Sequence, residues 1–120
     1  MVVDDEPDQI FTVKTILDNF SNEYEIIGAN SGSDCLKLLK NNQIPDLILL
    51  DIMMPKMSGW EVYSCLKENS SWKNIPIVFI TARNDIVAKK AGGFLGHDYI
   101  EKPYKEKELI KRIYIILNSK

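Results

Sequence analysis

Three carboxylates, one hydroxyl and one amine stand at comparable places in this 120-residue chain, each just past a short apolar run. Asp4 and Asp5 follow residues 1–3, Asp51 follows 47–50, Thr81 follows 75–80 and Lys102 comes just after 99–100. If those runs are strands, every one of these groups lies at a carboxyl end, where open α/β sheets bind their ligands. Carboxylates meeting at one edge repel unless a cation joins them, and an all-oxygen set suits a hard ion that keeps some waters, such as Mg²⁺. Asp51, on the most apolar run and with no acidic neighbour beside it, suits a carboxylate nucleophile for phosphoryl transfer. Asp4 and Asp5 suit the metal. In that chemistry Mg²⁺ would offset negative charge on the transferring oxygens, Lys102 would add a point charge and the Thr81 hydroxyl would donate a hydrogen bond.

Taken singly, most of these residues have plainer readings. Asp4 and Asp5 also fit a turn ahead of a helix, where the dipole favours acid. Thr81 alone is a β-branched strand residue, and Lys102 alone a solvated loop charge. Asp51 is harder to dismiss, because an unpaired carboxylate after a buried run is costly. Their conjunction at strand ends carries the functional reading.

The elements that must position them follow from periodicity. A strand begins at 1–3; Pro7 then suits a helix first turn, and Ile10, Val13, Ile16, Leu17 and Phe20 recur on one helical face. Residues 25–29 read as a second strand, followed by a helix with Cys35, Leu38 and Leu39 on one side and lysines on the other. The run 47–50 is apolar without alternation, as expected of a central parallel strand covered on both faces. Ser58 and Glu61 have the spacing of a capping box and open a helix with Val62, Cys65 and Leu66 inward. Residues 75–80 form the fourth strand, 84–91 a weak helix ending at Gly92-Gly93, 99–100 a short fifth strand and 105–118 the last helix. Five βα units with right-handed crossovers predict a doubly wound, flavodoxin-like α/β fold of five parallel strands with five helices on its two faces; the order 2-1-3-4-5 is taken over from the common doubly wound arrangement.

Length fits one domain over 1–120, and the net charge of -2 with interspersed signs shows no basic stripe for nucleic acid or an anionic membrane. The longest apolar stretch falls far short of the roughly 20 residues that cross a bilayer. No signal peptide is visible, and Cys35 and Cys65 form no CxxC pair, which favours a reduced, cytoplasmic protein with two core thiols. His97, the sole histidine, has no partner at ligand spacing and is given no role. Trp60 is expected under the third helix and Trp72 partly exposed in the following loop.

V-D-D-E at 3–6, L-D-I-M-M-P at 50–55, I-T-A at 80–82 and E-K-P at 101–103 together resemble the signature of response regulator receiver domains in two-component signalling. The resemblance covers essentially the whole chain. It implies that Asp51 accepts a phosphoryl group from the phosphohistidine of a sensor histidine kinase or phosphotransfer protein. Asp5 would bind Mg²⁺ directly, Asp4 mainly through water, and Asp51 with the Met53 backbone carbonyl would complete the protein ligands. Thr81 and Lys102 would hold phosphoryl oxygens, Tyr99 would be the switch aromatic, and the Lys102-Pro103 bond would be cis. Met53 and Arg83 match positions that in this family tune access of the hydrolytic water, although both also read as surface side chains.

Two departures from the family pattern stand out. Only Met1, Val2 and Val3 precede the acidic pair, so strand one is short or its first residues lie outside this sequence. Between Thr81 and Lys102 there is one residue fewer than usual, and Gly96-His97-Asp98-Tyr99 replaces the common G-A-D-D-Y. The 84–91 helix has only Ile86 and Val87 as large apolar residues, which predicts the element that moves on phosphorylation. The last helix carries a wide apolar stripe, Leu109, Ile110, Ile113, Tyr114, Ile115, Ile116 and Leu117, and with the fourth helix and fifth strand it is expected to dock a target protein or a second copy.

The protein is therefore read as a phosphorylation switch and not an enzyme with an external product. An aspartyl-phosphate phosphohydrolase would need an acid where Met53 stands. A docking-only pseudo-receiver is disfavoured by intact Asp4, Asp5, Asp51, Thr81 and Lys102. A stand-alone regulator and a segment of a transcription factor or hybrid kinase both remain open.

Overall fold

Burial along the strands alternates residue by residue between two separate apolar cores, and that alternation organises everything else. The structure is a computed structural model describing residues 1–82 and 98–118. Strands β1 (Val2–Val3), β2 (Gly28–Ala29), β3 (Ile48–Asp51), β4 (Ile77–Ala82) and β5 (Asp98–Lys102) form one parallel sheet in the order β2-β1-β3-β4-β5. Helices α1 (Pro7–Phe20), α2 (Gly32–Lys40), α3 (Gly59–Glu68) and α4 (Glu106–Leu117) are the described helices. The helix expected at 84–91 lies outside the described residues.

One core gathers Val3, Ile48, Leu50, Ile77 and Phe79 from the sheet with Cys35 and Leu39 of α2 and Val62 and Leu66 of α3. The other gathers Val2, Leu49, Val78, Ile80 and Ile100 with Val13, Ile16 and Leu17 of α1 and Leu109 and Ile113 of α4. Since successive strand side chains point to opposite faces, helices must cover both sides, and these apolar runs need no polar alternation. The doubly wound fold expected from sequence is the one observed.

Local chemistry sets the element ends. Pro7 opens α1, where a missing N–H costs nothing. Ser31 and Ser58 cap α2 and α3, their hydroxyl oxygens accepting from the N–H groups of Asp34 at 3.0 Å and Glu61 at 3.4 Å.

Several boundaries differ from expectation. β2 is confined to Gly28–Ala29 because β1 offers only Val2 and Val3 to pair with it. β4 starts at Ile77, since Pro76 has no N–H, though its carbonyl still accepts from Ile48 N at 3.0 Å. β5 runs longer than 99–100 because it pairs with β4 through Ala82↔Lys102. Phe20 is 47% exposed and stacks on Tyr24 instead of entering the core. Cys65 is half-buried, not a core thiol like Cys35. Trp72 is partly exposed as expected, and both it and Trp60 pack half-buried against the α2–α3 core.

Phe79, fully buried, meets Trp60 at 4.9 Å and Tyr63 at 5.4 Å between ring centroids. Phe79→Ala should lower the unfolding free energy by about 3–5 kcal/mol in urea titrations. Phe20→Ala, at an exposed ring, should cost no more than about 1 kcal/mol. Equal losses would contradict this assignment of the core.

Candidate functional site

The alternation that divides the cores also gathers the polar groups. Asp4 lies two residues past Val2, Asp51 two past Leu49 and Lys102 two past Ile100, so all three share the parity of the α1–α4 face at the sheet's carboxyl edge. Asp4 and Asp51 are the buried charged residues among those described, at 2% and 6% exposure. One oxygen each from Asp4, Asp5 and Asp51 lies within 4.8 Å of the others. Lys102 Nζ donates to Asp4 Oδ2 at 3.2 Å and stands 3.7 Å from Asp51 Oδ2.

Both buried carboxylates are held by the chain just after them. Asp4 Oδ1 accepts from Glu6 N at 3.0 Å, and Asp51 Oδ1 accepts from Met53 N at 3.3 Å. These are turns in which an aspartate bonds the N–H two residues on. The pattern fixes the rotamer of each acid and leaves its second oxygen facing Lys102.

Burial and neighbouring charge shift the proton affinities of Asp51 and Lys102. Burial pushes the Asp51 carboxyl up to about 6, with Asp4 and Asp5 adding to the rise while Lys102 and the Met53 N–H oppose it. Burial works to lower Lys102, but Asp51 and Asp4 outweigh it and hold the ammonium above its ordinary value. Tyr104, which sequence reasoning passed over, is also pushed up, first by burial, with Lys102 opposing and Asp4 reinforcing. Its position directly after Lys102-Pro103 was the only available signal.

The remaining predicted residues fall as follows. Thr81 is on β4, one residue past the Ile80 that pairs with Asp51. Tyr99 is on β5 opposite Phe79, half-buried against the α2–α3 core, and its carbonyl accepts from Arg112 at 3.2 Å. The Lys102-Pro103 peptide is cis. Met53 is 68% exposed at the mouth of the site. Arg83 and His97 lie outside the described residues.

Among the described residues the donor set is all oxygen, from three acids crowded beside the Lys102 ammonium, and so fits a hard divalent cation. Parallel sheets in this order bind their ligands at this edge, and a 2-1-3-4-5 sheet with acids gathered there is the arrangement of a receiver domain. The chain belongs to the family described as response regulator receiver domain, whose profile matches residues 1–114.

It is 37% identical over 121 residues to histidine kinase P4 of Formosa agariphila, covering 100% of this chain and 8% of that protein. To protein PilG of Pseudomonas aeruginosa it is 31% identical over 114 residues, covering 94% of this chain and 82% of that one. A solved CheY-like response regulator receiver domain protein from Methanospirillum hungatei is 38% identical with a TM-score of 0.82, covering 98% of this chain and 91% of that one. The chain spans less than half the length of several curated relatives it matches, 26% in one case and 44% in another. It is a response regulator receiver of two-component signalling.

The raised Asp51 carboxyl has a consequence for stability. The folded state holds this proton more tightly than the unfolded chain does, so the contribution is fully present below the ordinary 3.8 and lost as pH rises through about 6. With a chelator present, Asp51→Asn should therefore stabilise the protein by about 1 kcal/mol at neutral pH, a figure discounted for solvent screening. It should also flatten the decline in urea midpoint between about pH 4 and about pH 7. A variant less stable than wild type at neutral pH would contradict this electrostatic account.

Proposed function

We propose that Asp51 is the phosphoacceptor of this receiver. The observation carrying the proposal is that Asp4, Asp5 and Asp51 each bring an oxygen within 4.8 Å of one another while Lys102 Nζ stands 3.7 Å from Asp51 Oδ2. Phosphoryl transfer needs positioning and charge stabilisation more than covalent help. An Asp51 carboxylate oxygen attacks the phosphorus, the P–N bond to a kinase or phosphotransfer-protein imidazole breaks, and that ring nitrogen keeps the electron pair.

Lys102 balances charge on the incoming oxygens, aided by the Thr81 hydroxyl, and Met53 N–H keeps Asp51 oriented. Asp5, Asp51 and the Met53 carbonyl would hold Mg²⁺ directly. Asp4, whose two oxygens already accept from Glu6 N–H and Lys102, would act mainly through water. When bound, Mg²⁺ supplies Lewis-acid neutralisation of phosphoryl charge. The domain catalyses its own phosphorylation and dephosphorylation and turns over no external substrate.

Downstream, a change at Thr81 and Tyr99 would reach a docking face that includes β5 and α4. Tyr114 and Ile115 of α4, both more than half exposed, support that use. The occupant is a target protein or a second copy. Free Cys35 and Cys65 support a reducing, cytoplasmic setting, and no described helix is long and apolar enough to cross a membrane.

Intact mass after incubation with acetyl phosphate tests the reading. Wild type should gain one Mg²⁺-dependent phosphoryl group and Asp51→Asn none. Equal labelling of both would move the acceptor elsewhere, and labelling of neither would favour a docking-only role.

A further inference from the structure

The first residue of α3 sits directly against the peptide that carries Asp51. Gly59 N donates to Ile52 O at 2.9 Å, and the same carbonyl accepts from Met54 N at 3.2 Å. A Cβ at position 59 would lie 2.5 Å from Asp51 O, 2.7 Å from Ile52 Cα and 3.1 Å from Asp51 C. All three are backbone atoms, so no side chain can swing away to make room. Ordinary carbon contacts require a displacement of about 1 Å.

Other close glycines meet different neighbours. The Gly28 site is crowded by the Ile10 side chain and the Gly32 site by the Met57 and Val62 side chains. Only at Gly59, among these, does the crowding fall on the Asp51–Ile52 peptide. The conformation at Gly59 requires no positive φ, so the demand is for space and not for left-handed backbone.

Resting on the reading of Asp51 as acceptor, we propose that Gly59 is a positioning residue for phosphoryl transfer. Its bare Cα lets the amino end of α3 bear on the Asp51–Ile52 peptide. The loop from Ile52 to Gly59, closed through the Ile52 carbonyl, thereby sets both the Asp51 carboxylate and the Met53 backbone. A side chain at 59 displaces the acceptor without removing any charged group, and misplacement of about 1 Å is enough to cost on the order of 10²-fold in rate.

The test compares Gly59→Ala with Ser58→Ala, which weakens the same helix end by removing its cap without adding an atom near Asp51. Both are studied where circular dichroism shows full folding, by labelling rate from acetyl phosphate and by calorimetric Mg²⁺ titration. Gly59→Ala should label on the order of 10²-fold more slowly and bind Mg²⁺ about tenfold more weakly, with Ser58→Ala within about threefold of wild type. Wild-type behaviour of Gly59→Ala, or equal losses in both variants, overturns the proposal. A wild type that neither labels nor binds Mg²⁺ overturns the acceptor reading with it.

Amide exchange on the wild type gives a second measurement that does not depend on the variant folding. Mg²⁺ should slow exchange of the Gly59 N–H, bonded to Ile52 O, by about tenfold more than that of Val62 N–H, bonded to Ser58 O one turn on. Equal slowing at both positions counts against the proposal.

Discussion

Two buried carboxylates at one sheet edge, shared by the Lys102 ammonium, are the constraint around which the molecule is arranged. At separations within 4.8 Å, each like-charged pair costs about 3.5 kcal/mol or more at the effective dielectric of a protein near its surface. Lys102 offsets part of that cost, and the N–H groups of Glu6 and Met53 offset more by bonding to the acids. The rest is borne by the surrounding packing. Such crowding is tolerated where charge neutralisation by a ligand is part of the function.

That packing is firmest just beneath the site. β3 is buried along its whole length, and its neighbours β1 and β4 hold it in register from both sides, Leu50 opposite Val3 and Asp51 opposite Ile80. The acceptor therefore cannot drift along the strand without carrying two apolar cores with it. Asp4 reaches the same edge from β1, whose last residue Val3 is held by pairing to both Ala29 and Leu50. The shortness of β1 costs β2 its outer residues, but does not separate the acids.

Sequence reasoning captured the strands, the helix faces and the convergence of Asp4, Asp5, Asp51 and Lys102, because period two and strand-end position are local properties written in residue types; the strand order came from the known doubly wound arrangement and not from the residues. It captured less where pairing partners decide the outcome. β5 extends to Lys102 only because β4 continues past Thr81, and Phe20 stacks on Tyr24 although the helical repeat turns it inward. The aspartate turn at Asp4 was among the readings open from sequence, whereas the one at Asp51 had no motif to announce it. Gly59 was not singled out; its closeness to Asp51 arises from tertiary contact and has no signature in spacing.

The residue-by-residue alternation of the strands also divides labour between the two layers. The titrating groups share the α1–α4 side, whereas Phe79, Trp60, Tyr63 and Tyr99 occupy the α2–α3 side, and the peptide of Asp51 and Ile52 is where the two meet. Sequence drift in the first layer changes what the site attracts. Drift in the second changes how steadily the acceptor is held, so members of such a family can diverge in phosphate lifetime through aromatic and glycine positions while every acid and lysine stays the same.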